Sequence, residues 1–200
     1  MLVKICGITR AEDADAAVQA GATAIGFVFW PQSPRFVDPF RARALASALP
    51  PFVTTVGVFV NQTTAYVRGV ASLVGLGAVQ LHGDETPDAA AALGVPVIKA
   101  LQLDGARVDR WPPPTMILLD AVDPVRRGGT GQTIDWTEAA AVAARRRILL
   151  AGGLTPENVG DAVSRVRPFG IDVSSGVERA PGIKDPQRMR ALFTALEAIR

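Results

Sequence analysis

Residues able to do chemistry are few in this chain, and their scarcity narrows what they can be doing. One cysteine, Cys6, and one histidine, His82, occur among 200 residues. A single thiol excludes an internal disulfide and a multi-thiolate metal centre. A zinc site around His82 would need carboxylates for its other ligands, and no metal or cofactor is expected. Cys6 ends the apolar run Leu2–Cys6, just before Gly7 and Thr9. Asp120 ends the apolar run Thr115–Asp120, where a carboxylate costs free energy unless something polar meets it. An ionised thiol can attack or take a proton, and a carboxyl can give or take one. Each also has a plainer reading. A lone intracellular cysteine is commonly a small core hydrophobe, and an aspartate at a strand end can be a loop cap.

Further stretches suggest what these groups would act on. Gly152-Gly153 and Ser174-Ser175-Gly176 follow two late apolar runs. Glycines let backbone N–H groups approach an anion, so Gly153, Ser174, Ser175 and Gly176 are candidates for a phosphate site, with ordinary tight turns as the alternative. Arg35 lies in Trp30-Pro31-Gln32-Ser33-Pro34-Arg35, where prolines restrict the backbone and leave the arginine little entropy to lose. A guanidinium offered this way suits a carboxylate, and equally a rigid surface loop. His82, beside Gly83, could polarise a substrate oxygen or be a packed, hydrogen-bonded histidine. Arg126–Gly131 is a cationic, glycine-rich loop that could close over a substrate.

The elements that must position these residues follow from the apolar pattern. β-branched runs recur at Leu2–Cys6, Ala24–Phe29, Thr54–Val60, Ala78–His82, Val95–Ala100, Thr115–Asp120, Arg147–Ala151 and Gly170–Ser174. Helical patterns separate them. Asp38-Pro39, Thr86-Pro87, Thr155-Pro156 and Asp185-Pro186 pair an N-cap with proline at the first helical position, and Thr9, Asn61 and Asp135 are further caps. Leu103–Trp111 is the weakest helical unit, cut by three prolines. Alternating strands and helices imply parallel pairing with right-handed crossovers. Eight units without a glycine fingerprint after the first strand favour a closed (β/α)8 TIM barrel, of the α/β class, over an open sheet. Residues 1–200 are expected to form that single domain.

In such a ring, alternate residues face the interior. If Val3, Ile5, Val79, Leu81, Ile117, Leu119, Ile171 and Val173 face the helices, the inward set is Lys4, Cys6, Gln80, His82, Leu118, Asp120, Gly170, Asp172 and Ser174. Polar residues collect on that set, and Cys6 and Asp120 fall at its mouth, where catalytic groups of barrels sit. The formal net charge is +2 with no basic run carrying aromatics, so nucleic acid is not an expected partner. No apolar run reaches the roughly 18 residues of a membrane span, and no signal-peptide pattern opens the chain. A cytoplasmic protein, monomeric rather than dimeric, acting on a small phosphorylated molecule is the expectation.

The stretches KICGIT, GFVFWPQSPRFV, VGVFVN, VQLHGDE, LLDA…GGTGQTIDW, AGGLTPENV and GIDVSSGVERAPGIKD, in order from residue 3 to about 185, resemble the phosphoribosylanthranilate isomerase family of tryptophan biosynthesis. Gln132 stands where that family often has lysine. The resemblance implies an Amadori rearrangement of N-(5-phosphoribosyl)anthranilate to 1-(2-carboxyphenylamino)-1-deoxyribulose 5-phosphate. It assigns Asp120 as general acid, Cys6 as general base and Arg35 to the anthranilate carboxylate, with Gly153 and Ser174–Gly176 at the phosphate. Acid and base must then hold opposite protonation states at one pH, and a buried thiol needs help to ionise. Lys4, or Gly7 with the first helix, could supply it. A related barrel isomerase acting on a phosphoribosyl aminoimidazole carboxamide uses two aspartates, whereas the first strand here ends in cysteine.

Overall fold

A computed structural model describes residues 1–103, 105–120 and 134–199. Eight parallel strands close into a ring in chain order: β1 (Leu2–Cys6), β2 (Ala24–Val28), β3 (Thr54–Phe59), β4 (Ala78–Leu81), β5 (Val97–Gln102), β6 (Met116–Asp120), β7 (Ile148–Leu150) and β8 (Gly170–Val173). β1 pairs with β2 on one side and β8 on the other, so the ring has no free edge. Around it run α1 (Ala11–Ala20), α2 (Pro39–Ser47), α3 (Thr64–Val74), α4 (Pro87–Ala91), α5 (Gly105–Val108), α6 (Trp136–Ala143), α7 (Val159–Val166) and α8 (Pro186–Glu197). This is the expected (β/α)8 barrel. Between β8 and α8 the chain adds a short 3-10 turn (Ser175–Val177) and an antiparallel hairpin, β9 (Glu178–Ala180) and β10 (Ile183–Lys184). No helix among the described residues is long and apolar enough to cross a membrane.

The strand parity predicted from sequence holds. Val3, Ile5, Val79, Leu81, Ile117, Leu119, Ile171 and Val173 join one large apolar cluster between ring and helices. Each such side chain removed from water contributes about 1.5–3 kcal/mol, so this outer layer carries most of the stabilisation. The interior is filled separately, by smaller clusters such as Ala100, Leu118, Leu149 and Ala151, or Ala24, Val56 and Ala78. A third interior cluster, Cys6, Val28 and Val58, lies toward the mouth. At the opposite, N-terminal face, Arg146 donates to the carbonyls of Val108, Trp111, Pro112 and Thr115. It thereby gathers the chain entering β6.

Helix starts agree with sequence at Asp38, Thr86, Asp135 and Asp185, whose side chains accept from backbone N–H groups of the first turn. Three expected caps are corrected. Thr9 donates its hydroxyl to Gly182 O, and α1 begins after Arg10 without a side-chain cap. Asn61 takes a left-handed φ of 56°, and Thr63 caps α3 instead. Thr155 starts a preliminary turn, so α7 begins only at Val159. Thr9 and Asn61 found partners brought near by tertiary structure, Gly182 O and the Asp84 N–H, whereas Thr155 Oγ1 accepts locally from the Glu157 N–H. β5 also starts at Val97 rather than Val95, because Pro96 has no N–H for the ladder.

Candidate active site

Cys6 occupies the inward position at the mouth end of β1, opposite Gly26 of β2. A Cβ at Gly26 would lie 2.9 Å from Cys6 Sγ and 3.0 Å from Lys4 Cε. The glycine therefore makes the room in which thiol and lysine lie side by side. Lys4 is wholly buried and donates from Nζ to Asp172 Oδ1 at 2.8 Å, across the β1–β8 seam. Burial pushes the Cys6 thiol above its ordinary range. Lys4 pulls it back by charge and hydrogen bonding, Asp172 pushes it further up, and Lys184 pulls it down, with the balance still raised. Of the two sources of help foreseen for the thiol, Lys4 is the one present. The N–H groups of Gly7 and Ile8 are both given to Gly26 O, at 2.9 and 3.0 Å.

Asp120 ends β6 on the inward face, three strands from Cys6 by way of β7 and β8. His82 follows β4 by one residue, still aligned because its N–H donates to Phe59 O at 2.8 Å. Its Nε2 stands 3.3 Å from Asp120 Oδ2, and its Nδ1 lies 3.0 Å from Gln80 Nε2. Gln80 and Asp120 thus hold the imidazole ring from its two nitrogens. Within the protein, His82 thus meets the carboxyl of Asp120.

The loop after β2 carries Arg35 inward over Gly7, where a Cβ would come within 2.5 Å of Arg35 Cδ. Its backbone is pinned by the Arg35 N–H to Ser33 Oγ bond at 3.1 Å. The guanidinium forms a bidentate pair with Glu178, Nε to Oε1 at 2.9 Å and Nη2 to Oε2 at 2.7 Å. Lys184 Nζ also donates to Glu178 Oε1, at 2.7 Å. Gly152 and Gly153 take left-handed φ values of 82° and 63°, and a Cβ at Gly176 would fall 1.8 Å from Leu154 O. The turns after β7 and β8 thus pack backbone against backbone, which only a glycine at 176 permits. Ser174 opens the turn after β8, and its Oγ, buried without a hydrogen-bond partner among the described residues, faces the Gly7 position. Arg126–Gly131 lies outside the described residues.

Five further polar residues were not singled out from sequence as site residues: Asp172, Glu178, Lys184, Glu85 and Lys99. Parity put Asp172 and Lys4 on the same inward face, yet their pairing depends on strand register at closure. Glu178 and Lys184 sit on a hairpin outside the repeating pattern. Lys99 faces the helix layer, where its charge meets Glu85, at 2.8 Å, and Gly83 O, at 2.6 Å.

Several known proteins of this architecture are also similar to the chain in sequence. The family model described as N-(5'phosphoribosyl)anthranilate (PRA) isomerase matches residues 3–195. The N-(5'-phosphoribosyl)anthranilate isomerase of Chromohalobacter salexigens is 51% identical over 197 residues, covering 96% of this chain and 92% of that one. The phosphoribosyl anthranilate isomerase structure from Thermus thermophilus superposes with a TM-score of 0.91 at 43% identity, over 100% of both chains. A further isomerase structure, solved with reduced 1-(o-carboxyphenylamino)-1-deoxyribulose 5-phosphate, gives a TM-score of 0.87 at 41% identity, over 99% of this chain and 100% of that one. The chain belongs to the N-(5'-phosphoribosyl)anthranilate isomerase family.

Proposed function

We propose that Cys6 and Asp120 perform the family's reaction, the Amadori rearrangement of N-(5-phosphoribosyl)anthranilate to 1-(2-carboxyphenylamino)-1-deoxyribulose 5-phosphate. The chain is an isomerase of L-tryptophan biosynthesis. The observation that carries the assignment of roles is the placing of a thiol and a carboxyl at two strand ends of one barrel mouth, each with its own polar partner. Asp120, protonated, gives its proton to the furanose ring oxygen. The C1′–O bond breaks and an iminium forms at C1′. Cys6, as thiolate, then takes the C2′ proton, and the resulting enolamine tautomerises to the ketone. One proton returning from Cys6 to Asp120 through solvent resets the pair, so the reaction is a net isomerisation.

The two groups are set apart by their surroundings. Asp120 Oδ2 lies 3.3 Å from His82 Nε2, a contact that orients the carboxyl. Cys6 lies beside the ammonium of Lys4, which stabilises the thiolate when it forms. Arg35 holds the anthranilate carboxylate. The turns at Gly153 and Ser174-Ser175-Gly176 receive the phosphate, chiefly through backbone N–H groups. These anchors fix C1′ and C2′ between acid and base. Cys6→Ser and Asp120→Asn test the assignment by turnover of phosphoribosylanthranilate. Each is expected to lower kcat by about 100-fold or more, the range of general acid–base catalysis. Near-full activity in both would refute these roles.

A further inference from the structure

Arg35 presents a puzzle of chemistry. The guanidinium that should receive the substrate's carboxylate already holds a carboxylate, that of Glu178, by two parallel hydrogen bonds. An incoming anion would have to displace Glu178 or use what Glu178 leaves. Displacement is opposed from several sides. Glu178 is 4% exposed, and its Oε1 also accepts from Lys184 Nζ and, at 3.2 Å, from the Gly182 N–H. Although burial acts to raise it, Arg35 and Lys184 hold its carboxyl below the ordinary carboxylate range, so it stays charged and paired.

The hairpin that carries Glu178 is no part of the ring, and it is fastened to the start of the chain. Thr9 Oγ1 donates to Gly182 O at 2.6 Å, and the Lys184 N–H donates to buried Asp13 Oδ2 at 3.0 Å. Lys184 Nζ also reaches Ser174 O at 3.1 Å. The carboxylate is therefore delivered to a fixed point above β1 and β8. Against it the guanidinium can take one orientation, with its Nε–Nη2 edge spent. The edge left is Nη1 with the outer N–H of Nη2, and among the described residues Nη1 has no protein partner. Arg35, Lys184 and Glu178 together carry one surplus positive charge, which one carboxylate would neutralise.

We infer that Glu178 is a positioning residue for carboxylate recognition, the β9–β10 hairpin being a bracket that turns the open edge of Arg35 toward the substrate. This rests on the reading of Arg35 given above. It also explains the chain's departure from the ring between residues 178 and 184, and why Gly7 must be bare so that the arginine stem can lie across it.

Two product analogues test it, reduced 1-(2-carboxyphenylamino)-1-deoxyribulose 5-phosphate and its phenylamino counterpart lacking the carboxyl. The wild-type protein should bind the first more tightly by about tenfold or more, as charge-assisted bidentate pairs do. Glu178→Gln should shrink that preference to about twofold and raise KM with kcat changed less than about threefold. Inhibition by inorganic phosphate should not move. In an Arg35→Ala background Glu178→Gln should add little, since it acts through Arg35. Glu178→Asp keeps the charge beside Lys184 but is too short to span both nitrogens, and should show the same loss of preference if the glutamine variant folds poorly. A preference retained by both variants would overturn the inference alone. Equal binding of the two analogues by the wild-type protein would overturn the role of Arg35 and the inference with it.

Discussion

Two buried lysine–carboxylate pairs of the same length sit on opposite faces of the same sheet. Lys4–Asp172 and Lys99–Glu85 both close at 2.8 Å, and all four side chains are almost fully removed from water. Lys4 points into the ring, where its neighbour is a thiol. Lys99 points out, over the Trp111 ring at 5.6 Å from its centroid and against Gly83 O. Glu85 in turn accepts from the Asn61 and Gly83 N–H groups at 2.8 and 2.9 Å. The second pair therefore clamps the loop that follows His82 to the end of β3. Neither pair is cheap in desolvation, and isolated buried pairs are weak grounds for stability. What distinguishes them is the third party. Beside a titratable group a buried pair tunes a proton; beside backbone it fixes a loop.

The largest effect expected from this contrast is that of Lys4→Met. It removes the cation that stabilises the thiolate and leaves Asp172 buried beside Cys6. We expect kcat/KM to fall about 100-fold, the rise of activity with pH to move to higher pH, and stability to drop by about 3 kcal/mol. The rate of Cys6 alkylation against pH, with a denaturant melt, reads both. Lys99→Met should cost a similar amount of stability, about 3 kcal/mol, but lower kcat/KM by less than about tenfold and leave the alkylation profile in place. A shifted thiol titration in this variant would break the distinction between the pairs.

The smallest effect sharpens it from the acid side. Glu85, though burial acts to raise it, is held below its ordinary 4.5 by Lys99 and its backbone donors. A carboxyl lower in the folded than in the unfolded chain adds stability that is full above that value and lost as pH falls below it. Melting temperatures should therefore decline below pH 4.5, and Glu85→Gln should flatten part of that decline. Cys6 has the opposite sense: its raised position makes it a thiol at neutral pH, so kcat/KM should climb toward alkaline pH.

Much of this is legible in the sequence. Alternation within short runs located the inward face, and with it Cys6, Asp120, His82 and Asp172, because a parallel ring obeys a period of two wherever it is buried on both sides. Local chemistry also announced the caps at Asp38 and Asp185. It failed where a side chain had a distant alternative, as Thr9 does in Gly182 and Asn61 in Asp84, whose N–H it accepts at 2.7 Å. Arg35 was recognisable as a rigidly offered guanidinium, but not its engagement with Glu178, 143 residues away. Pairings of that span depend on register and closure, which no local pattern encodes. Arg146 lies just past the end of α6. That four carbonyls converge on it follows from how the preceding loop folds back.

The seam between β1 and β8 has a consequence in time. Lys4 meets Asp172 across 168 positions, and until strand eight arrives the first strand has one unpaired edge and a lysine beside Cys6 without its counterion. A chain emerging from the ribosome would carry that edge through the synthesis of nearly the whole barrel, prone to pairing with a neighbouring nascent chain. Contacts of such span also slow folding, since the loop must close before the contact forms. The last strand is thus a checkpoint. Only a chain that has wrapped fully round can place its thiol beside a paired lysine, so appearance of a tuned Cys6 would time ring closure during refolding.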